Sequence, residues 1–235
     1  METALKMLGL LPWIDWVAVV AFFAGWVGYA WFARYWAQTH PSILVSTNRI
    51  RRAWMLQATY REVRVVDGVV IQNLSSSPSF FASTTILIIG GLLAVLGTTE
   101  KASELVREIP FAARTSALVF DLKIVLLLVI FVYAFFRFTW SMRQYTFGAL
   151  LVASAPEAAM FEAQGLSRDA FADRAGRTVG LAAETFNDGL RAYYLAFAAI
   201  GWFFSPLVFM LATVGVIYIL YQREFHSDVL AVLNS

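Results

Sequence analysis

The chain has 235 residues, of which 60% are hydrophobic and only 14% are charged, whereas a soluble domain carries about 25% charged residues. This deficit excludes an ordinary water-facing surface and predicts an integral membrane protein. A formal net charge of +2 does not indicate a nucleic-acid partner, and the absence of cysteine excludes disulfides and thiol catalysis. The two histidines, His40 and His226, do not favour a metal or haem site, so we expect no cofactor.

An apolar segment at residues 14–33 predicts the first membrane span, because about 20 apolar residues cross a bilayer. Aromatic residues cluster at both ends of this segment, as they do at membrane interfaces. These residues are Trp13, Trp16, Trp31, Tyr35 and Trp36. We interpret Asp15 as a first-turn carboxylate that faces the helix dipole, with a buried functional acid as the alternative.

The loop after the first span is rich in arginine, and only Glu62 and Asp67 oppose the positive charge. The simplest interpretation is positive-inside topology with contact to anionic lipid headgroups. The alternative is an arginine cluster that gathers an anionic solute or ligand. The loop arginines are Arg34 and the candidate anion or headgroup contacts Arg49, Arg51, Arg52, Arg61 and Arg64.

The second span is predicted at residues 79–97, directly after a hydroxyl-rich segment. Ser77 and Pro78 have the form of a helix start, with a serine N-cap followed by proline in the first helical position. Ser79 and Ser83 share a helix face, which Thr84 widens. We interpret this face as helix packing, with the hydroxyls bonded to backbone carbonyls. The alternative is that this face and the free backbone N–H groups of a helix N-terminus contact an anion beside the arginines.

A row of small residues, Gly90, Ala94 and Gly97, continues along the same helix. Small residues at this spacing allow helices to approach closely in lipid. We interpret the row as a helix-packing face, and we expect a homo-oligomer. The alternative is that this helix lines a water-filled path or a solute site.

The third span is predicted at residues 119–138 and the last at residues 194–220. Asp121 and Lys123 lie near the start of the third span, where they are either interfacial or intramembrane charges with a function. Ser205 and Pro206 interrupt the last span and favour a kink. Between these spans, residues 153–180 predict an amphipathic helix with a solvated charged face.

The charge distribution predicts the orientation of the chain. With the two long loops inside, twelve arginines lie in the cytoplasm and six basic residues lie outside. The positive-inside rule therefore favours four spans with both termini outside the cytoplasm. The fold expected is all-α, a four-helix transmembrane bundle with amphipathic cytoplasmic helices in a single domain, residues 1–235.

Several long motifs are specific enough to suggest a family. They are RRAWM at residues 51–55, NLSSSPSFFASTTILIIGGLLAVLG at 73–97, FVYAFFRFTWSMRQYTF at 131–147 and NDGLRAYY at 187–194. With these motifs the chain resembles domain of unknown function 599, a family of small bacterial membrane proteins. The resemblance implies a multi-pass inner-membrane protein and brings no assigned activity and no catalytic residues.

Two functions remain open from the sequence. One is an oligomeric channel or transporter component for a small anion or an anionic solute. The other is a non-conducting membrane scaffold or lipid- or partner-binding protein. We do not expect an enzyme, because the acids Asp15, Asp121 and Glu184 show no paired spacing and no metal ligands beside them.

Overall fold

A computed structural model of the protein describes residues 11–108 and 116–234. All regular secondary structure in these residues is helical, which confirms the predicted all-α class for this part of the chain. The α-helices are α1 (Trp13–Trp36), α2 (Ile43–Ala58), α3 (Val65–Gly97), α4 (Thr99–Glu108), α5 (Ala117–Ala153), α6 (Ala158–Ala163), α7 (Arg168–Ile200), α8 (Pro206–Phe225) and α9 (Asp228–Leu233). A 3₁₀ turn, Gly201–Phe203, connects α7 to α8.

Four helical stretches in the described residues are long and apolar enough to cross a bilayer. They are Trp13–Trp36, Val65–Gly97, Ala117–Ala153 and Pro206–Asn234. The shortest has 24 residues, which at about 1.5 Å per residue exceeds a hydrocarbon core of about 30 Å. The predicted first and third spans lie within α1 and α5.

The helix start predicted at Ser77 and Pro78 was wrong. Helix α3 begins at Val65 and continues through Pro78 as one helix of 33 residues. A proline removes only its own backbone donor, and the surrounding hydrogen bonds can keep the helix continuous. The backbone donors near Ser77 are therefore inside a helix, so the free N-terminal N–H groups expected there do not exist.

The residues 194–220 predicted as the last span belong to two helices, so the kink expected at Ser205 and Pro206 is a break between helices. Helix α7 ends at Ile200, and α8 begins at Pro206. Ser205 caps α8 by accepting a hydrogen bond from the backbone N–H of Val208 at 3.1 Å. The turn before it is tight, because a Cβ on Gly201 would lie 3.2 Å from a side-chain carbon of Val208.

The described residues cluster into two compact units. The first draws on residues 11–39, 85–108, 116–133 and 191–223, and the second on residues 40–84, 134–190 and 224–234. Helices α3, α5 and α7 each contribute residues to both units.

Aromatic contacts between α1 and α8 organise the first unit. The fully buried rings of Phe22 and Phe209 lie 5.0 Å apart, and Trp202 stacks on Phe209 at 5.5 Å. Further along both helices, Phe32 contacts Tyr221 at 6.2 Å between ring centroids. Residue numbers rise together along this interface, so α1 and α8 run in the same direction.

The end of α7 runs opposite to α1 within the same unit. Arg191 lies over the ring of Tyr29 at 5.6 Å, and Trp202, just beyond the helix, donates a hydrogen bond to Asp15 at 2.6 Å. Within the first unit α1 and α8 therefore run parallel, and the end of α7 runs antiparallel to α1.

The second unit has its own apolar core. Its buried members include Met55, Ile71, Tyr145, Phe161 and Val179, contributed by α2, α3, α5, α6 and α7. The C-terminal residues also belong to this unit. In particular, Ser46 of α2 donates a hydrogen bond to the side-chain oxygen of Asn234 at 3.0 Å.

Candidate functional site

Helix α2 carries three of the first-loop arginines, Arg49, Arg51 and Arg52. Ser42 caps the helix by accepting a hydrogen bond from the backbone N–H of Val45 at 3.2 Å. Successive residues of an α-helix are about 100° apart around its axis. Arg51 and Arg52 therefore leave α2 on different sides, and each lines a separate cavity.

The first cavity has a volume of about 490 Å³ and is called the α2–α7 cavity here. It is lined by Asn48, Arg52, Asp173, Arg174, Gly176 and Arg177. Its wall thus carries three guanidinium groups and a single carboxylate. Such a wall attracts small anions, since arginine offers several N–H donors with a permanent charge.

Two of the three guanidiniums in the α2–α7 cavity already pair with carboxylates. Arg52 bonds Asp173 and also Asp169, the latter at 3.0 Å, and these hydrogen bonds raise the pKa of Arg52. Arg177 pairs with Glu184 at 3.1 Å. Arg174 is exposed and makes no side-chain hydrogen bond or ion pair with the described residues, so its donors can bind a ligand.

A glycine allows α2 and α7 to approach closely beside this cavity. A Cβ on Gly176 would lie 2.9 Å from the Cα of Arg52, a distance that side chains essentially never adopt. Only glycine at this position lets the two backbones pack as they do. The placement of Arg52 opposite Asp173 therefore depends on Gly176.

The second cavity has a volume of about 480 Å³ and is called the Trp54 cavity here. It is lined by Thr47, Ile50, Arg51, Trp54, Arg61, Val66, Asp67, Val70 and Leu74. Arg51 donates hydrogen bonds to Thr47 at 3.0 Å and to Asn48 at 2.8 Å. Burial lowers the pKa of Arg51, and the electrostatic influence of Tyr145 and Glu184 opposes that shift.

Asp67 lines the Trp54 cavity and is fully buried. Its Oδ1 accepts a hydrogen bond from the indole N–H of Trp54 at 2.6 Å and a second one from Arg61. Its Oδ2 is buried and has no hydrogen-bond partner among the described protein atoms. Asp67 therefore fixes the positions of Trp54 and Arg61.

The guanidinium of Arg64 is used inside the protein. It donates to the backbone carbonyls of Ala58 and Ala155 at 2.9 Å each and to that of Pro156 at 2.5 Å. These bonds satisfy the carbonyl of the last residue of α2 and two carbonyls in the connection between α5 and α6. The predicted anion contact of Arg64 stays a prediction, and its donors are largely occupied.

The hydroxyl face expected on α3 does not contact the arginines in the described residues. Ser77 and Ser83 are exposed, Ser79 is half-buried, and none of the three makes a side-chain hydrogen bond there. Thr84 bonds the backbone carbonyl of Phe80 at 3.0 Å. Arg49 is exposed and lines neither cavity. The anion-site role of these residues stays a prediction.

The small residues of α3 lie open. Gly90, Ala94 and Gly97 are exposed, and a Cβ on Gly90 or Gly97 would meet no atom within 4 Å. The described part of the chain therefore supplies no helix that packs on this row. The predicted helix-packing role of this row stays a prediction.

Two charges predicted near the third span are located in the first unit. Asp121 accepts a hydrogen bond from Thr99 at 2.6 Å. Lys123 is only 2% exposed and lies 5.7 Å from the ring of Trp202 and 5.6 Å from that of Phe203. These contacts stabilise the cation through the aromatic faces.

Trp54 and Asp67 were missed as site residues by sequence reasoning. Asp67 was taken only as a counter-charge to the loop arginines. One signal was available, because Asp67 is an isolated acid in the apolar run VVDGVV at residues 65–70. An acid in such a run needs a buried partner, and the indole N–H of Trp54 supplies one.

The helices and cavities define a class, an all-helical protein with four long apolar helices and arginine-lined cavities. No group of three or more metal-ligating residues was found in the described ranges. The chain belongs to the family described as protein of unknown function, DUF599, whose match covers residues 17–229. No curated protein and no solved structure matches the chain.

Proposed function

We propose that the protein is a multi-pass protein of the bacterial inner membrane. The four apolar helices support this assignment, and so does the exposure of large side chains along them. Leu87 is 76% exposed, Leu211 is 72% exposed and Val20 is 65% exposed. Apolar residues exposed in such numbers are stable where the surroundings are lipid rather than water.

The proposed topology has five crossings and places the C-terminus in the cytoplasm. The crossings are the four apolar helices and, before α8, the end of α7. Parallel packing of α1 and α8 supports this order, because the end of α7 runs opposite to α1 and lies between them in the chain. The charge distribution agrees, because Arg223 then joins the twelve cytoplasmic arginines, and five basic residues remain outside. This topology replaces the earlier expectation of two outer termini.

We further propose that the protein binds a small anion or an anionic solute in the α2–α7 cavity, as an oligomeric channel or transporter component. The observation that carries this function is the three-arginine wall with the unpaired Arg174. No catalytic step is part of the proposal. The open row of α3 supports assembly, and a conduction path would then form between copies.

Anion flux into liposomes tests this function. We expect flux for the wild type, a large decrease for Arg174→Ala, and unchanged flux for Arg49→Ala, which removes an exposed arginine outside both cavities. Ser83→Leu tests whether the hydroxyl face contributes to the path. Absence of flux through the wild type for every anion of a broad panel would exclude the channel function.

The second candidate is a non-conducting protein that binds lipid or a partner assembly. One observation favours it, because most arginines near the cavities bond protein carbonyls or carboxylates. Those arginines hold the fold and leave few free donors for a moving ion. Normal folding and lipid retention without any flux would support this candidate.

A further inference from the structure

The Trp54 cavity combines charged donors with an apolar wall. Arg51 and Arg61 supply two guanidinium groups, and Asp67 supplies one carboxylate. The three charged side chains therefore leave one net positive charge in the wall. A ligand with a single negative charge would neutralise the cavity.

Arg51 in particular lacks a bonded counter-charge. Its hydrogen-bond partners, Thr47 and Asn48, are neutral, and no carboxylate lies within ion-pair distance in the described residues. The nearby Glu184 is already bonded by Arg177 and Asn48. A partly buried guanidinium without a bonded anion is costly, so binding of an anion here is favourable.

Asp67 positions the second guanidinium. Its Oδ1 accepts a hydrogen bond from Arg61, and the indole N–H of Trp54 donates to the same oxygen. The side chain of Arg61 is still 44% exposed, so several of its N–H groups are accessible to a ligand. Two arginines on one cavity match a phosphate, which accepts several hydrogen bonds at once.

The remaining wall of the cavity is apolar and exposed. Val66 is 68% exposed, Ile50 is 49% exposed and Val70 is 37% exposed. A free phosphate would leave these side chains uncovered, whereas an acyl chain would cover them. The cavity thus suits a ligand with a phosphate at one end and a hydrocarbon chain at the other.

We propose that the Trp54 cavity binds one anionic phospholipid, with its phosphate on Arg51 and Arg61 and an acyl chain along Ile50, Val66 and Val70. This inference rests on the proposed membrane location and specifies the lipid of the second candidate function. Asp67 is a positioning residue, because it acts through Arg61 and Trp54.

Native mass spectrometry of the purified full chain tests the proposal. The protein is released from detergent after incubation with phosphatidylglycerol, phosphatidylcholine, glycerol phosphate or inorganic phosphate. We expect one tightly held phosphatidylglycerol per chain. The zwitterionic lipid should bind at least about tenfold more weakly, since its added positive charge meets the positive cavity.

Three variants locate the bound lipid. Arg51→Gln removes the guanidinium without a counter-ion, and we expect about a tenfold loss of phosphatidylglycerol affinity. Val70→Trp keeps every charge and fills the cavity, so it should cause a similar loss even if Arg51→Gln folds poorly. Arg49→Gln is the matched control, because it removes an exposed arginine of the same helix that lines neither cavity and should retain the lipid.

Equal lipid retention in the wild type, Arg51→Gln and Val70→Trp would overturn the proposal. Tight binding of inorganic phosphate or glycerol phosphate without a gain from the acyl chain would overturn the lipid as ligand. These measurements need no ion flux. A silent flux assay with specific lipid retention would therefore exclude the transport function and leave this inference intact.

Discussion

The carboxylate of Glu224 accepts a hydrogen bond from the backbone N–H of Leu44 at 3.2 Å. Glu224 lies near the end of α8, and Leu44 lies in the first turn of α2. The bond joins the C-terminal residues to the arginine-bearing helix within the second unit. Two segments that are bonded in this way must be on the same side of a membrane.

The first prediction concerns the location of the C-terminus. The chain contains no cysteine, so single cysteines can report accessibility without a prior deletion. We expect Val229→Cys, an exposed position in α9, to react with a membrane-impermeant maleimide only after cells are permeabilised. The contact between Glu224 and Leu44 is the reason, because the proposed topology puts the arginine-rich loop in the cytoplasm.

Two further positions calibrate this labelling experiment. Glu62→Cys marks the first loop and should behave like Val229→Cys, whereas Glu104→Cys in α4 should react in intact cells. All three side chains are exposed. Labelling of Val229→Cys in intact cells, with Glu62→Cys protected, would restore the four-span order.

The second prediction concerns assembly through α3. We expect Gly90→Leu to weaken a homo-oligomer by about 1 kcal/mol or more, since close packing of small residues drives helix association in lipid. The change corresponds to about a fivefold loss of association and is measurable by native mass or crosslinking. Gly215→Leu is the control, because its position on α8 is equally open but outside the row. Equal oligomer content in both variants would remove the α3 interface.

Two Ser-Pro pairs show what sequence reasoning could and could not predict. Ser77 and Pro78 have the same local form as Ser205 and Pro206, yet only the second pair begins a helix. The difference lies outside the pairs, because the close approach of Gly201 to Val208 accompanies a turn at the second pair. Local patterns therefore gave the helical class and the apolar spans but not where each helix starts.

The arginines show the same limit for the candidate site. The positions of the arginines in the sequence put positive charge in the first loop and made anion contact there a candidate role. It could not show that Arg64 bonds the carbonyl of Ala155, 91 residues away, while Arg51 keeps only neutral partners. Such assignments depend on tertiary contacts that no local spacing encodes, so free and occupied arginines look alike in the sequence.

The third prediction concerns the buried carboxylate of Asp67. Replacing it with alanine removes the acceptor of Trp54 and leaves Arg61 without its counter-charge. We expect a loss of about 2 kcal/mol in the free energy of unfolding, below the value for a fully buried pair because Arg61 is 44% exposed. Thermal unfolding in detergent measures it. Glu62→Ala, an exposed acid without a hydrogen-bond partner in the described residues, should change the stability by less than about 0.5 kcal/mol.

The last prediction concerns the close approach of α2 and α7. A methyl group on Gly176 would lie 2.9 Å from the Cα of Arg52, and backbone atoms cannot move aside as a flexible side chain does. We expect Gly176→Ala to cost about 1–3 kcal/mol of stability, as overpacking does, and to weaken anion binding in the α2–α7 cavity by displacing Arg52 from Asp173.

Gly68→Ala provides the matched control for this change. It also replaces a helical glycine, but its Cβ would meet no atom within 4 Å. Because alanine favours a helix over glycine by about 1 kcal/mol, Gly68→Ala should leave the stability unchanged or increase it. If both variants unfold at the same temperature, the two helices are not held as closely as Gly176 and Arg52 indicate, and the wall of the α2–α7 cavity would have to be assigned anew.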